Sequence, residues 1–296
     1  MVDMHIHTLY SDGDKTVEEV LKKCEEKKLE YISITDHNNC RQYLDEALKK
    51  NIYSGKIVIG AEMNAFIDNK RIEFLAYNIK NMDIINEWSD KFYSKEILIE
   101  RFNRDKNKII EICTNNNLVF DLDNIKKDIP CTDFYVVYMY YELIKHIENK
   151  DIMGDCFNSF NDFRKLGLSN PNSIFYMGEE TGAKPMYKDV CDIIHEAGGL
   201  VFLAHPYEYK FNDTIGFIDK LRSEIKLDGI ECFHPSAEID NRCDILVEYT
   251  RKNNLYISGG SDFHGDKKPN NDIGLGSGTL NISSKYIEEW AESTKF

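Results

Sequence analysis

The sequence predicts an α/β fold with a mainly parallel sheet able to close into a barrel, and three observations carry that expectation. Seven short runs of β type occur, at residues 2–7, 31–37, 57–62, 71–77, 200–205, 229–234 and 255–264. Most are separated by amphipathic stretches of helical length, and strands alternating with helices imply parallel pairing. Each run also ends in, or carries, a histidine or a carboxylate. The 296 residues suit one large α/β barrel or two ordinary domains, and a chain 42% hydrophobic and 30% charged is globular in character.

In the first run Asp3, His5 and His7 alternate with Val2, Met4 and Ile6, and a period of two sends the polar set to one face, here the barrel interior. Thr16 and Glu19 then form a capping-box pattern ahead of Val17, Val20, Leu21 and Cys24, which opens a helix. The next three runs bring Asp36-His37, Glu62 and Glu73. Between residues 83 and 184 the alternation fails. A long charged segment at 94–113 and an aromatic stretch at 134–141 read there as a helical insertion that covers the site and selects substrate. Residues 1–82 and 185–296 form the barrel. A helix carrying His195 stops at Gly198-Gly199, and the last three runs, with a helix at about 240–252 before the final one, supply His205, His234, and Asp262 with His264.

Composition excludes several classes. Lys and Arg number 37 against 51 Asp and Glu, and the net charge of −14 repels phosphate backbones, so extended duplex nucleic acid is not expected as a partner. The insertion follows the same trend, with 13 basic and 18 acidic residues. A small phosphorylated substrate or the end of a short oligonucleotide fits this charge. Residues 1–7 run directly into a β pattern and no apolar stretch reaches the ~20 residues that span a bilayer, so a cytoplasmic location without membrane contact is expected. The eight cysteines are scattered with no C-x-x-C pair and read as reduced packing thiols, Cys40 included.

Six of the eight histidines lie at run ends, and the C-terminal ends of parallel barrel strands converge on one mouth. Neutral imidazoles mixed with carboxylates suit zinc, manganese or iron, whereas calcium calls for oxygen ligands throughout. Absence of thiols at the run ends argues against a structural zinc knot, and so many ligands imply more than one ion. His146 and His195 read as structural, and the tyrosines of 135–141 as core.

The segments H-I-H-T-L-Y-S-D-G at 5–13, I-T-D-H-N at 34–38, G-A-E at 60–62, L-A-H-P at 203–206, G-I-E at 229–231 and S-G-G-S-D-F-H at 258–264 resemble the PHP (polymerase and histidinol phosphatase) family of metal-dependent phosphoesterases. Within it the chain is most similar to the branch that hydrolyses nucleoside bisphosphates and trims short RNA from its 5′ end. The resemblance implies a distorted, TIM-like seven-stranded (β/α) barrel with two or three divalent metals, as Mn, Fe or Zn. It would put His5, His7, Glu62 and Asp262 on one metal, extend Glu62 to a second completed by His205, and give Asp12, His37 and His264 a third.

Two positions depart from the family pattern. Glu73 stands where the family usually has a histidine. It either ligates a metal, favouring a harder ion such as manganese, or pairs with a lysine or arginine. In the insertion, Cys131-Thr132-Asp133-Phe134 replaces an arginine and a histidine near the substrate phosphate. The expected activity is hydrolysis of a phosphate monoester of a nucleotide or other small metabolite by a metal-activated hydroxide, with Asp12 and His37 at the catalytic centre. His234 binds phosphate, protonates the leaving oxygen, or is a buried hydrogen-bonded histidine. Lys184, Lys267 and Lys268 are the cations available to the phosphate, with solvated surface side chains as the alternative. A short-RNA 5′-to-3′ exonuclease and a non-catalytic metal-binding regulatory module are the competing readings.

Overall fold

The computed structural model describes residues 1–68, 70–130, 134–178 and 184–296. The departure expected at Cys131, Thr132 and Asp133 lies outside the described residues. Two compact units are formed, one by Met1–Asp90 with Lys184–Phe296 and the other by Lys91–Ala183.

In chain order the strands are β1 (Val2–Ile6), β2 (Tyr31–Ile34), β3 (Lys56–Ile57), β4 (Gly60–Ile67), β5 (Lys70–Tyr77), β6 (Leu200–Leu203), β7 (Gly229–Phe233) and β8 (Tyr256–Gly259). The α-helices are α1 (Val17–Glu26), α2 (Met82–Tyr93), α3 (Lys95–Asn115), α4 (Tyr135–Leu143), α5 (Lys150–Met153), α6 (Phe160–Asp162), α7 (Tyr187–Glu196), α8 (Thr214–Glu224), α9 (Arg242–Lys252) and α10 (Lys285–Glu288). The capping box at α1 is present. Thr16 Oγ1 accepts from Glu19 N at 3.2 Å, and Glu19 Oε2 accepts from Thr16 N at 2.8 Å.

The strands divide into a three-stranded sheet, β1-β2-β3, and a five-stranded sheet, β4-β5-β6-β7-β8. The expectation of mainly parallel pairing fails at β5, which is antiparallel to both β4 and β6. The reason is local. Ile67 pairs with Lys70, and a connection that short can join only antiparallel strands; Asp68 takes the left-handed φ of 52° typical of such turns. The run read at 57–62 is likewise two elements, with Ile57 pairing to β2 and Gly60 onward pairing to β5. Two isolated parallel bridges, Ile6 to Phe263 and His37 to Glu62, join the sheets at their histidine-bearing ends.

Simple alternation also fails along β1. All five residues are buried, and the register with β2 shifts between Asp3 and Ile6. Asp3 accordingly turns to the segment after β8, accepting from Ser261 N (2.9 Å), Ser261 Oγ (2.6 Å) and Gly274 N (2.7 Å).

Tyr77 organises the apolar floor beneath these strand ends. Its ring lies 5.0 Å from Phe202 in an edge contact and 5.0 Å from Trp290, beside Val2, Met4 and Leu75. Its hydroxyl donates to Met4 O at 2.9 Å and accepts from Ser258 Oγ at 2.9 Å. Those two bonds tie β5 to β1 and β8.

The second unit has its own core around Ile109, Met139, Leu143, Phe163 and Phe175. Tyr135 and Tyr140 are buried there, with Tyr140 packed against Phe160 and Phe163. Buried Glu142 pins the adjoining turns by accepting from Asp121 N (3.0 Å), Lys145 (2.8 Å) and His146 (3.1 Å). Burial alone would raise its pKa, but Lys145 and His146 outweigh that and bring it to about 2. The seven described cysteines are free, six of them buried. No described helix is long and apolar enough to cross a membrane.

Replacing Tyr77 by Phe leaves the Met4 carbonyl and the Ser258 hydroxyl buried with one partner fewer. The urea-unfolding midpoint should fall by the equivalent of about 1–3 kcal/mol with the slope unchanged. An unaltered midpoint would show that this tie contributes nothing.

Candidate metal centre

β1 delivers His5 and His7, both fully buried, to the point where the two sheets meet. His5 Nδ1 donates to Glu231 Oε1 at 2.9 Å, which turns Nε2 toward the centre. There it lies 3.0 Å from His7 Nε2, 3.3 Å from Glu62 Oε2 and 3.7 Å from Asp262 Oδ1. His7 Nε2 is 3.2 Å from Glu62 Oε2 and 3.5 Å from Asp262 Oδ1.

Glu62, on β4, is the common neighbour. His37 Nδ1 stands 3.2 Å from Oε2 and His205 Nε2 stands 2.8 Å from Oε1. A second focus forms at Asp12, an exposed residue whose carboxylate lies 3.2 Å from His264 Nε2, 3.5 Å from His7 Nδ1 and 3.6 Å from His37 Nε2. Ligand atoms within 4.8 Å of one another define five overlapping groups: His7, Asp12, His37, His264; His5, Glu62, His205; His5, His7, Asp262; His37, Glu62, Glu73; and Glu208, His234, Asp262. Each of the nine residues that the sequence nominates as metal ligands falls in at least one.

Backbone geometry at the site is specialised. His205 adopts φ 23° and Asp262 φ 53°, a region that side chains rarely occupy. Both are held by hydrogen bonds, His205 N donating to Glu231 Oε2 at 2.7 Å and Asp262 N to His5 O at 2.9 Å. Close approach of β8 to β1 explains the S-G-G segment, since a Cβ on Gly260 would sit 2.4 Å from both His5 N and His5 Cβ. Asp36 stays behind the site, accepting from Thr8 N (2.8 Å), Thr8 Oγ1 (2.6 Å) and Ser11 Oγ (2.5 Å) and so fixing the loop that carries Asp12.

Whether these residues fit cations can be judged from atoms left over. His37 Nδ1, His205 Nδ1 and His234 Nε2 are buried without hydrogen-bond partners. Orphans of this kind are rare in protein interiors, and those on His37 and His205, whose rings stand beside Glu62, match a donor set that cations complete.

Glu73 does two things at once. Oε1 accepts from Arg71 Nη2 at 2.6 Å, while Oε2 lies 3.5 Å from His205 Nε2. Lys268 Nζ reaches Asp262 Oδ2 at 2.5 Å. Lys184 lies instead over the Phe66 ring, 5.3 Å from its centroid, and Lys267 is exposed, so of the three lysines read from the sequence it is Lys268 that reaches the cluster. His234 has a defined tautomer. Its Nδ1 accepts from Ser236 N at 3.1 Å, so in the neutral ring Nε2 carries the proton, 3.5 Å from Asp262 Oδ2. Periodicity assigns no role to Glu231, although it closes the G-I-E segment, and none to Glu208, which lies beyond a strand end where no periodic signal reaches.

Electrostatics follow from burial and pairing. Burial alone would lower the His7 and His205 pKa values, but Asp262 and Glu62 around His7, and Glu62 beside His205, outweigh it and raise them to about 9 and about 10. His5 is raised as well, by Glu231 and Glu62 against burial. His37 moves down because burial dominates. Burial would raise Glu62 and Asp262, yet the histidines around them pull both well below the carboxylate range.

Comparison with known proteins gives a consistent picture. The profile of the PHP domain matches residues 3–201. A 5′-3′ exoribonuclease of Escherichia coli, Rnm, is 23% identical over 267 residues, covering 88% of this chain and 84% of that protein. A phosphoribosyl 1,2-cyclic phosphate 1,2-diphosphodiesterase of Eggerthella lenta is 22% identical over 279 residues, covering 89% and 94%. Two solved structures share the fold with a TM-score of 0.63 each. A protein assigned as a metal-dependent phosphoesterase from Bifidobacterium adolescentis is 19% identical and covers 97% of this chain and 94% of its own. An amidohydrolase from Chromobacterium violaceum with bound sulfate is 20% identical and covers 92% and 89%.

Metal ligation needs neutral imidazoles, so at pH 7 binding must expel protons from His7 and His205, and affinity should climb as pH rises toward about 9 and about 10. In the metal-free protein the same pairings contribute in full below the unfolded histidine value of 6.5 and are lost as pH rises through about 9 to 10, lowering the unfolding midpoint. Titration calorimetry of manganese in buffers of differing ionisation enthalpy reads the protons released. A pH-independent affinity with no release contradicts this account.

Proposed function

The chain belongs to the PHP-domain family and is a metal-dependent phosphoesterase; on that premise we propose that its substrate is a phosphate ester on a ribose, as in a nucleotide or another small phosphorylated metabolite. The observation that carries the reading is the convergence of His5, His7, His37 and His205 on one buried carboxylate, Glu62, with Asp262 and the Asp12 focus alongside. The names of the two relatives supply the ribose, since one acts on RNA and the other on a phosphoribosyl cyclic phosphate.

We assign His5, His7, Glu62 and Asp262 to one ion, Glu62 with His205 to a second, and Asp12, His37 and His264 to a third, with manganese, iron or zinc as the candidate metals. Glu73 joins the second through Oε2, and Arg71 on Oε1 offsets the charge a glutamate adds over a histidine. The two bridges between the sheets support reading the strands as a distorted barrel. Divalent cations supply, when bound, Lewis acidity and a water whose pKa is lowered to roughly 7.

The chain's own residues then orient the reaction. Lys268, which reaches Asp262 at the edge of the cluster, would meet a phosphoryl oxygen. The Nε2–H of His234 donates to the oxygen that leaves when the P–O bond breaks. Glu231 keeps His5 in the ligating tautomer, and the oxygen that replaces the leaving group comes from water.

A short-RNA exonuclease is the second reading, favoured by the Escherichia coli relative. The net charge of −14 disfavours it for long strands.

Phosphate release should be screened with manganese, iron(II) and zinc on nucleoside phosphates, 5′-phosphorylated oligonucleotides, histidinol phosphate and sugar phosphates. His5→Ala and Asp262→Ala should each lower kcat/KM by at least about 100-fold, because loss of a residue that only orients a ligand already costs ~10–100-fold. Glu231→Gln falls in that smaller range and shows mainly as weaker metal affinity. Equal activity in wild type and the two alanine variants sinks the metal-centred assignment. Rates that climb with oligonucleotide length favour the exonuclease.

A further inference from the structure

Strand pairing ends at the second metal position in an irregular way. β6 stops at Leu203, which faces Phe74 on β5, so the next pair in register is Glu73 with Ala204. Facing residues in an antiparallel ladder exchange either both backbone bonds or neither. Here one is made by the strand, Ala204 N donating to Glu73 O at 3.1 Å. The chain then turns at His205, φ 23°, and Glu73 N donates instead to the hydroxyl of Tyr209 at 2.8 Å. The same hydroxyl donates to Glu73 O at 3.2 Å. One phenol thus completes the ladder at the residue that carries the carboxylate.

Tyr209 also touches the histidine of that position. Its ring lies edge-on to the His205 imidazole, with centroids 5.6 Å apart at 60°. His205 Nε2 in turn stands 2.8 Å from Glu62 Oε1 and 3.5 Å from Glu73 Oε2. β5 fastens the segment at a second point, where Lys70 Nζ donates to Tyr209 O at 2.7 Å and sits 3.6 Å from the centroid of Phe211. Tyr207, Glu208, Lys210 and Phe211, together with Arg242, line a cavity of about 650 Å³. Tyr209, in the middle of that stretch, packs against the cluster instead.

We propose that Tyr209 is a positioning residue for the second metal position, setting the separation of Glu73 and His205 through its hydroxyl on the Glu73 main chain and its ring on the His205 imidazole. The assignment rests on the reading of Glu73 and His205 as ligands of that ion and extends it to a residue that ligates nothing. Glu73 carries its carboxylate on a flexible stem, so the place of its backbone decides whether Oε2 arrives opposite His205. Residues that hold ligands in this way govern how tightly an ion is kept.

The test follows stepwise manganese binding, by titration calorimetry and by metal content after gel filtration, in wild type, Tyr209→Phe, Glu73→Ala and the double variant. Tyr209→Phe keeps the ring on His205 and removes the hydroxyl alone. It should weaken the most loosely held manganese by about 10–100-fold, with the other ions unaffected. In the Glu73→Ala background the same change should cost no more than about 2-fold, because residues that act through one another are not additive. Circular dichroism checks that each variant is folded. Equal losses in both backgrounds, or a lowered urea midpoint with every manganese affinity unchanged, overturn the assignment and make Tyr209 a structural tie. Phosphate release by such a variant leaves the phosphoesterase reading standing. Coupled manganese loss in protein that releases no phosphate supports the positioning role, and the reaction assignment is then what fails.

Discussion

Glu62 sets the terms for the rest of the molecule. A carboxylate that is 2% exposed costs several kcal/mol to desolvate unless cations or hydrogen bonds surround it, and four histidines meet that requirement from three different segments of the chain. Without cations those imidazoles must keep protons to balance Glu62 and Asp262, which is why His7 and His205 titrate so far above the ordinary histidine value. With cations they must give the protons up. Folding, protonation and metal loading are thus one coupled equilibrium.

The same constraint reaches into the backbone. His205 and Asp262 sit in a left-handed region that costs on the order of 1–3 kcal/mol each, and the hydrogen bonds from their amides hold them there. Gly260 has no side chain because His5 occupies the space one would need. Glu231 bonds the ring of His5 and the amide of His205 together, so one buried carboxylate positions histidines from two distant parts of the chain. Below them, Tyr77 ties β5 to β1 and β8 through its hydroxyl and gives the cluster a rigid floor.

Glu73 shows how an extra carboxylate is accommodated beside the histidines. Set against a neutral imidazole, a glutamate adds a negative charge to a cluster already rich in carboxylates. Arg71, two residues earlier on the same face of β5, takes one oxygen and leaves the other pointing at His205. The two outcomes open at the level of sequence, ion pair or ligand, are compatible because a carboxylate has two oxygens.

The sequence by itself determined the chemical inventory. Histidines and carboxylates placed at the ends of β runs, the Thr16–Glu19 cap, and the α/β class are all set by neighbours a few residues apart, and local patterns report such features directly. Tertiary structure decided which ligands meet. His5 and Glu231 are 226 residues apart, Lys268 rather than Lys267 reaches Asp262, and β5 runs against its neighbours because of one tight turn after Ile67. The cavity at Tyr207 and Arg242 belongs to the same category, since its walls come from two separate stretches of chain, 207–214 and 236–242. Periodicity encodes which face a residue takes. Distances between segments depend on how strands pair and twist, and no local pattern carries that information.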